Sequence, residues 1–301
     1  MKNKNPVAGQ IESLLKKVAP KYYGMPVALS GGIDSSTLAA FIKPKFAISV
    51  ELPEGKHNEI EYAKKVVKHL KIPKHIIVKY NEDNFEKELE TAVKAIGRPI
   101  PHFNIVPLFQ MYKKLHEMGV KDLVLGDGPD ETMCGYARDL IINYLYKIYD
   151  YEAFKNYKFL IDKILPNISN AIARVINYQA LDYSSIMEAD IEVMRPDMDD
   201  MSNGIAKYFG ITNHRPYQDN KEIDDFMRDL PIEEKIKDVE YGKYALRLVA
   251  EKYLPKEIVW RKEKVGGPLY SPNMKMGWFA DEEEYGKKAW VMYQRQCLEK
   301  K

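Results

Sequence analysis

Residues 30–36, with the sequence Ser-Gly-Gly-Ile-Asp-Ser-Ser, combine the residue types that bind an anion. A short apolar run at 25–29 precedes them, and a helix-like run at 37–42 follows. Two glycines let the backbone turn tightly and approach a ligand closely. The following helix directs its free N–H groups and the positive end of its dipole at whatever fills the turn. We therefore predict a nucleotide phosphate site here, with Asp34 as a carboxylate able to face a metal ion.

Two better-known phosphate signatures are missing from the sequence. No G-x-x-x-x-G-K-[ST] occurs, which excludes the usual P-loop, and no G-x-G-x-x-G occurs, which excludes a dinucleotide fingerprint. The alternative interpretation is an ordinary strand–helix turn that happens to be rich in glycine and serine. A motif of this kind is a hypothesis until its context agrees, so the rest of the chain has to decide.

A second run of small and acidic residues, Gly-Asp-Gly-Pro-Asp-Glu at 126–131, directly follows an apolar run at 122–125. Proline at a first helical position and acids in a first turn are ordinary, so helix capping is the alternative for Asp130 and Glu131. In open α/β sheets, however, ligands bind outside the carboxyl ends of strands. We therefore expect Asp34 and Asp130 to face one cavity. Two carboxylates beside a polyphosphate need a cation between them, usually Mg²⁺.

Short apolar runs alternate with helical periodicity through the first half of the chain, which predicts a parallel α/β sheet. The predicted strands lie at 25–29, 46–50, 75–78 and 122–125. The predicted helices lie at 7–18, from the Ser30 turn to about 42, at 59–70, at 85–96 and up to about 118. Helical patterns dominate later, at 185–208, 219–229 and 240–253. We expect one compact unit over 1–301, with an α/β core at 1–140 and a mainly helical region at 141–301.

Composition narrows the class of protein. Hydrophobic residues make up 45% of the 301 residues, enough for a sizeable core. The 46 basic and 44 acidic side chains leave a net charge of +2, which argues against a dedicated nucleic-acid coat. Two distant cysteines favour a reducing compartment, and we see neither a signal peptide nor an apolar run of membrane-spanning length. The sequence predicts a cytoplasmic protein without a membrane partner.

The two runs together resemble a known family. The first is similar to the pyrophosphate-binding loop of the ATP pyrophosphatase (PP-loop) superfamily. The second resembles the G-E-G-x-D-E-x-x-x-G-Y segment of the asparagine synthetase family, which follows the loop by about a hundred residues, as here. Later segments resemble that family's R-x-P-F-L-D, K-x-x-L-R, Y-L-P and W-R-x-K, at 214–219, 243–247, 253–255 and 260–262. The resemblance covers residues 25 to about 266 and implies a parallel-sheet core like that of the adenine nucleotide alpha hydrolases.

The resemblance implies ATP and Mg²⁺ as cofactors. The residues that would hold pyrophosphate are Ser30, Gly31, Gly32, Asp34, Ser35 and Ser36. Asp34 and Asp130 match acids that face magnesium. The backbone at Ala28 and Val50 matches positions that meet adenine, and Gly126 matches a residue near the ribose.

The same resemblance implies an amide-forming, AMP-forming ligase. A small-molecule carboxylate attacks the α-phosphorus of ATP, pyrophosphate leaves, and ammonia or an amine then displaces AMP; aspartate with ammonia is the simplest pair. Asp127 stands where relatives carry Glu, an acid suited to orient or deprotonate the amine. Relatives place a lysine near the α-phosphate two residues after the arginine of W-R-x-K. That position is Glu263 here, so we expect the flanking Lys262 or Lys264 to supply the cation.

The nitrogen source and the acceptor are less determined. Glutamine-using relatives begin with a cysteine nucleophile, whereas residue 2 is Lys2 and 29 residues precede Ser30. We therefore expect free ammonia, ammonia from a separate glutaminase subunit, or an amine on the substrate itself. Two alternatives stay open. One is a PP-loop enzyme that modifies tRNA, and the other is a nucleotide-binding protein that has lost catalysis, which Glu263 favours.

Three further sets of residues carry weaker signals. Cys134 is expected to be a small buried hydrophobe rather than a persulfide carrier. Asp197, Asp199 and Asp200 are expected to form a solvated entry to a helix. The aromatic residues between 144 and 157 are expected in the core or in a subunit contact, which leaves a homo-oligomer open.

Overall fold

The computed structural model describes residues 5–52, 59–136, 187–188, 190–237, 241–261 and 283–300. Its main sheet contains the strands β1 (Val27–Ala28), β2 (Ala47–Glu51), β3 (His75–Lys79), β4 (Asp122–Val124) and β5 (Thr212–His214). The strands are all parallel and lie in the order β3-β2-β1-β4-β5. Val27 of β1 pairs with both Ala47 of β2 and Val124 of β4. β1 is therefore the central strand. The chain adds β2 and β3 on one side of it and β4 and β5 on the other.

Helices connect and cover these strands. In chain order they are α1 (Pro6–Val18), α2 (Ile33–Ile42), α3 (Glu59–Leu70), α4 (Phe85–Ile96), α5 (Ile105–Glu117), α6 (Pro129–Thr132), α7 (Arg195–Tyr208), α8 (Lys221–Arg228), α9 (Ile232–Lys235), α10 (Tyr244–Ala250), α11 (Lys256–Val259) and α12 (Glu283–Glu299). A 3₁₀ turn at Ala19–Tyr22 extends α1, a π-helical turn at Asp190–Met194 precedes α7, and Ile236–Lys237 (β6) pairs antiparallel with Tyr241–Gly242 (β7). Among the described residues no helix has the length and apolar sequence needed to cross a bilayer.

Two hydrophobic clusters occupy opposite faces of the sheet. One cluster packs α1, α2, α3, α8, α10 and α11 against β1, around residues such as Leu15, Ile42 and Leu246. The other packs α4, α5, α7 and α12 against β2 and β4, around Leu89, Tyr112 and Trp290. A parallel sheet covered on both faces needs strands that are apolar throughout. This explains why the runs at 46–50 and 122–125 carry so few polar residues.

The predicted α/β class is confirmed, and the four predicted strands occur within one or two residues of their expected bounds. The fifth strand was missed. Thr212, Asn213 and His214 are polar and only half buried or exposed, because β5 is the edge of the sheet and faces solvent on one side. The sheet therefore draws one strand from the second half of the chain. The division of the chain at residue 140 stays a prediction.

The carboxylate of Glu12 on α1 connects this helix to the segment after α10 by hydrogen bonds. Glu12 accepts hydrogen bonds from Lys16 Nζ at 2.7 Å, from Lys252 Nζ and from the Tyr253 hydroxyl. These donors, Lys16 first, lower the pKa of Glu12 from 4.5 to about 2. Because the folded-state pKa is depressed, the contribution to stability is present above pH 4.5 and is lost as the pH falls towards 2.

We expect Glu12→Gln to lower the free energy of unfolding by about 1 kcal/mol at pH 7, with the difference from wild type shrinking as the pH falls from 4.5 towards 2. Urea denaturation at several pH values measures it. Glu222→Gln is the matched control, since Glu222 pairs with Lys17 where both side chains are more than half exposed. A constant difference across this pH range would contradict the prediction.

Candidate active site

The two Gly-containing turns meet at the carboxyl edge of the sheet. One follows β1 and leads into α2, and the other follows β4 and leads into α6. Because β1 and β4 are neighbours whose chains diverge from there, the crevice between the turns is a topological switch point, the usual ligand site of an open α/β sheet. We call it the switch-point crevice.

Gly31 brings the first turn against α3. Its φ is +78°, and a Cβ atom built there would lie 2.5 Å from the backbone nitrogen of Ala63 and 2.7 Å from the carbonyl carbon of Tyr62. Any side chain at Gly31 would therefore collide with backbone. The next residue, Gly32, is the N-cap of α2 and has no side chain to cap the helix. The first N–H groups of α2 are thus left facing the turn, which is the arrangement that binds anions.

The serines of the turn occupy two different environments. The Ser30 hydroxyl accepts a hydrogen bond from Gly32 N at 3.1 Å and lies 3.3 Å from the Ser35 hydroxyl. The Ser36 hydroxyl is fully buried without a hydrogen-bond partner among the described residues, as is that of Thr37 on the next position of α2. Ser30 is exposed, whereas Ser35 and Ser36 are buried, and the phosphate contacts of all three serines stay a prediction.

Gly126 brings the second turn into contact with the first. A Cβ atom on Gly126 would lie 2.7 Å from the backbone nitrogen of Ser35 and 2.8 Å from its Cα. The buried hydroxyl of Tyr217, just after β5, donates to the carbonyl of Asp34 at 3.1 Å. The start of α2 is thus held between the segments that follow β4 and β5. The Gly126 segment and the turn at residues 30–36, which we call the phosphate turn, therefore form one wall of the switch-point crevice.

Lys243 joins the two acids that the sequence assigns to magnesium. Its Nζ forms ion pairs with Asp34 Oδ2 and, at 2.8 Å, with Asp130 Oδ1. Burial lowers the pKa of Lys243, but the two carboxylates outweigh it and the net shift is upward. Lys243 also has a left-handed backbone, with φ of 58°, which costs a residue with a side chain about 1 kcal/mol and often marks a functional site. Sequence reasoning assigned Lys243 no role, although it begins the K-x-x-L-R segment.

The carboxylates of Asp34 and Asp130 fit a Mg²⁺ ion that is also bound by phosphate. The carboxylates of Asp34 and Asp130 both reach one cation, the Lys243 ammonium, so they converge on a single position. Among the described residues no group of three or more His, Cys, Asp or Glu side chains could hold a metal ion. Mg²⁺ commonly takes one or two carboxylates and completes its shell with substrate phosphates and water. Asp34 and Asp130 would be those carboxylates.

The predicted adenine positions lie beside the phosphate turn. Ala28 ends β1 and Val50 lies near the end of β2, and both are half buried. Leu29 N donates to Ile48 O at 2.8 Å, which keeps the two strands paired up to the turn. The backbone of both predicted residues therefore reaches the carboxyl edge of the sheet on the β2 side of the phosphate turn.

Asp127 occupies the β5 side of the crevice, next to a buried arginine. Its Oδ2 lies 3.2 Å from Arg215 Nε, and 40% of its side chain is exposed. Arg215 is also 3.1 Å from Asp199 Oδ1. Burial raises the pKa of Asp127, and the positive charge of Arg215 opposes that rise. Asp127 is thus a carboxylate that faces the crevice on one side and a guanidinium on the other.

The buried Glu131 and the half-buried Tyr136 lie just after the second turn. The Tyr136 hydroxyl donates to Glu131 Oε1. Burial, followed by the charge of Asp130, raises the pKa of Glu131 to about 7. The alternative interpretation, in which Glu131 caps α6, is compatible with its place in the first turn of that helix, and Glu131 is buried there.

The weaker sequence signals divide in the structure. Cys134 is buried, as expected of a small hydrophobe. Asp197 and Asp200 pair with Arg98 at 2.7 and 2.8 Å on the outside of α7. Asp199 is different, because it contacts Arg215 and accepts a hydrogen bond from Gln218, so it is not a solvated residue as expected. Burial raises its pKa.

The lysines assigned to the α-phosphate, Lys262 and Lys264, lie outside the described residues, as does Glu263. The residue before them is described. The guanidinium of Arg261 lies 4.3 Å from the ring centre of Tyr62, the residue against which Gly31 packs. Arg261 Nη1 is buried without a hydrogen-bond partner among the described residues. This places an incompletely satisfied cation beside the phosphate turn, which suits an anionic ligand.

Comparison with known proteins agrees with the motifs. Asparagine synthetase B (glutamine-hydrolyzing) of Escherichia coli strain K12 is 22% identical over 284 residues, which is 87% of this chain and 44% of that protein. Amidase chyE of Penicillium rubens is 26% identical over 133 residues, 37% of this chain and 20% of that protein. The chain thus spans less than half the length of the curated relatives it matches. The profile of the asparagine synthase family matches residues 25–282, and this protein therefore belongs to the asparagine synthase family.

Proposed function

We propose that this chain is an ATP-dependent carbon–nitrogen ligase that adenylates a carboxylate, releases pyrophosphate, and transfers the acyl group to ammonia or an amine with release of AMP. The observation that carries the proposal is the meeting of two turns at the switch point, with Lys243, Asp34 and Asp130 at the mouth of an α2 N-terminus. Membership of the asparagine synthase family supports it.

The first step would use the phosphate turn. An oxygen of the substrate carboxylate attacks the α-phosphorus of ATP, and the bond to the β-phosphate breaks with its electron pair leaving on pyrophosphate. The N–H groups at the start of α2 and the Lys243 ammonium would stabilise that developing charge, since preorganised donors and cations are most effective there. Bound Mg²⁺ would neutralise further phosphate charge.

The second step would use the β5 side of the crevice. The amine nitrogen forms a bond to the acyl carbon, and the carbon–oxygen bond breaks with its electron pair leaving on AMP. The side chain of Asp127 there is 40% exposed, so we assign it to orient the amine and accept its proton. The region after residue 140 would contribute the remaining substrate contacts. The whole chain would act as one unit, in the cytoplasm.

The proposal is tested by incubating the protein with Mg²⁺ and ATP, a panel of small carboxylates and ammonium chloride, and measuring AMP and pyrophosphate. Formation of both with a particular acid supports it. AMP with bulk tRNA but with none of the acids would favour a tRNA-modifying enzyme instead. Tight ATP binding without any hydrolysis would favour a protein that has lost catalysis. Adding glutamine with and without a separate glutaminase then identifies the nitrogen source.

The predicted lysines have a separate test. We expect Lys262→Ala or Lys264→Ala to reduce pyrophosphate release by about 100-fold, because removing a group that stabilises developing charge typically has that effect. Arg261 next to them contacts Tyr62 at the phosphate turn, which is why the following residues are candidates. The two single variants are assayed side by side under the same conditions. Wild-type turnover in both would end the assignment.

A further inference from the structure

Arg215 lies at the centre of a polar cluster that none of the proposed steps explains. It is 4% exposed. Its Nη1 donates to Asn203 Oδ1 at 3.0 Å and its Nη2 donates to Ser202 Oγ at 2.6 Å, both on α7. Its Nε faces Asp127 and Asp199, at 3.2 and 3.1 Å. Each of the three guanidinium nitrogens thus donates a hydrogen bond to a protein side chain.

The backbone around Arg215 is fixed as well. Arg215 N donates to Asp219 Oδ2 at 2.7 Å, and Asp219 N donates back to Arg215 O at 2.7 Å. Arg215 directly follows β5, whose residues pair with β4. The cluster therefore connects the end of β5, the middle of α7 and the turn after β4. A planar guanidinium held in this way presents its N–H groups in one fixed direction.

Of the two carboxylates that Arg215 Nε faces, Asp127 is the more exposed. Asp199 is 25% exposed and is held by Gln218 as well as by Arg215. Asp127 is 40% exposed, and its hydrogen bond with Arg215 uses Oδ2. Arg215 thus constrains that oxygen, and we call Oδ1, which this bond does not use, the outer oxygen.

The charge of the cluster suits an amine. Two carboxylates and one guanidinium leave one net negative charge next to the switch-point crevice. Tyr112, Asp130 and Glu131 are among the other described groups that interact with Asp127, and none of these three adds a positive charge. A carboxylate in such surroundings attracts an ammonium ion or a substrate amine rather than an anion.

We propose that Arg215 is a positioning residue, which holds Asp127 so that its outer oxygen faces the amine nucleophile in the amide-forming step. This rests on the proposed function and adds a residue that acts in the second step alone. A purely structural Arg215 would connect β5 to α7 and affect both steps equally. A positioning Arg215 affects the step that uses the amine and spares adenylation, because its hydrogen bonds go to Asp127, to α7 and to Asp219.

The experiment separates the two steps. Wild type and variants are given Mg²⁺, ATP and a mixture of the common amino acids and simple dicarboxylates. Exchange of labelled pyrophosphate into ATP reports adenylation without an amine, and AMP formation with ammonium chloride reports the whole reaction. We expect Arg215→Gln to keep exchange within about 3-fold while ammonium-dependent AMP formation falls about 100-fold, since misplacement of a reacting group by about 1 Å costs that much. The KM for ammonium should rise.

Two further variants keep the test decisive if the loss of a buried cation unfolds Arg215→Gln. The double variant Arg215→Gln, Asp199→Asn retains the net charge of the cluster and should show the same separation of the two activities. Asp127→Asn should show it too, because it removes the group that Arg215 positions. Arg98→Gln is the matched control: Arg98 also holds two aspartates of α7, but on the outside, and both activities should stay at the wild-type level.

The outcomes distinguish the two proposals. Equal loss of exchange and of ammonium-dependent AMP formation in folded Arg215 variants would overturn the positioning role and leave the proposed function standing. Wild-type ammonium dependence in those variants would overturn it as well. Absence of exchange in the wild type with the whole mixture would overturn the proposed function and this inference together.

Discussion

Lys243→Met is expected to reduce pyrophosphate exchange and AMP formation by about 100-fold or more, because it removes a preorganised cation from the place where phosphate charge develops. Lys243 is buried, and its ammonium holds Asp34 and Asp130 together. Without it, two carboxylates would face each other beside the phosphate turn, and each would repel both its neighbour and the nucleotide. Lys243 therefore compensates the two carboxylates before the nucleotide binds and would stabilise the phosphate charge once it has bound.

The substitution also has a structural cost that has to be measured. Removing one partner of a fully buried ion pair costs about 3–5 kcal/mol. Asp34 and Asp130 are 15% and 28% exposed, so we expect a smaller loss of about 2 kcal/mol for Lys243→Met. Urea denaturation gives this value, and activity is compared on folded protein. Lys17→Met removes a lysine whose ion pair with Glu222 is mostly exposed and should alter neither quantity. Wild-type exchange in folded Lys243→Met would refute the assignment.

Gly31→Ala is expected to have the largest effect on the fold of the site. The new Cβ would collide with backbone atoms of Tyr62 and Ala63, which are the start of α3 and cannot rotate away as a side chain can. The left-handed φ of +78° adds backbone strain. We expect a loss of about 3 kcal/mol or more in the free energy of unfolding, in the range of severe substitutions, together with loss of ATP binding.

Gly24→Ala separates the two causes. Gly24 lies in the turn before β1 with a φ of +74°, close to that of Gly31, but a Cβ there meets nothing within 4 Å. It should cost only the strain, about 1 kcal/mol, and should leave ATP binding unchanged. Denaturation curves and nucleotide titration of both variants provide the comparison. Equal losses in the two variants would show that the close approach to α3 contributes nothing.

The sequence predicts this fold well where burial imposes a pattern. The runs at 46–50 and 122–125 form strands covered on both faces, and such strands have to be apolar along their whole length. The ends of the helices were predicted within a few residues, because local residues that stop a helix mark some of them. Pro44 follows the end of α2, and Gly97 ends α4 with a left-handed φ of +86°. β5 was not predicted, because an edge strand does not need a continuous apolar run.

The candidate site shows the same division. The sequence alone locates both turns, since a strand, a Gly-containing turn and a helix are consecutive in the chain and form an anion site locally. It also brings Asp34 and Asp130 to one edge, because all strands of a parallel sheet end there. Their bridging by one cation is a finding of the structure. Asp127 is likewise identified by its place directly after an apolar run.

The partners of those acids were decided by tertiary structure alone. Lys243 reaches Asp34 across 209 residues, and Arg215 reaches Asp127 across 88. No local pattern predicts either contact, because each depends on how α10 packs on α2 and how β5 aligns with β4. The sequence determined the family, the α/β class and the phosphate turn. The tertiary structure decided which cations compensate its carboxylates, since a charge buried at the switch point is stabilised only by the partner that packing places beside it.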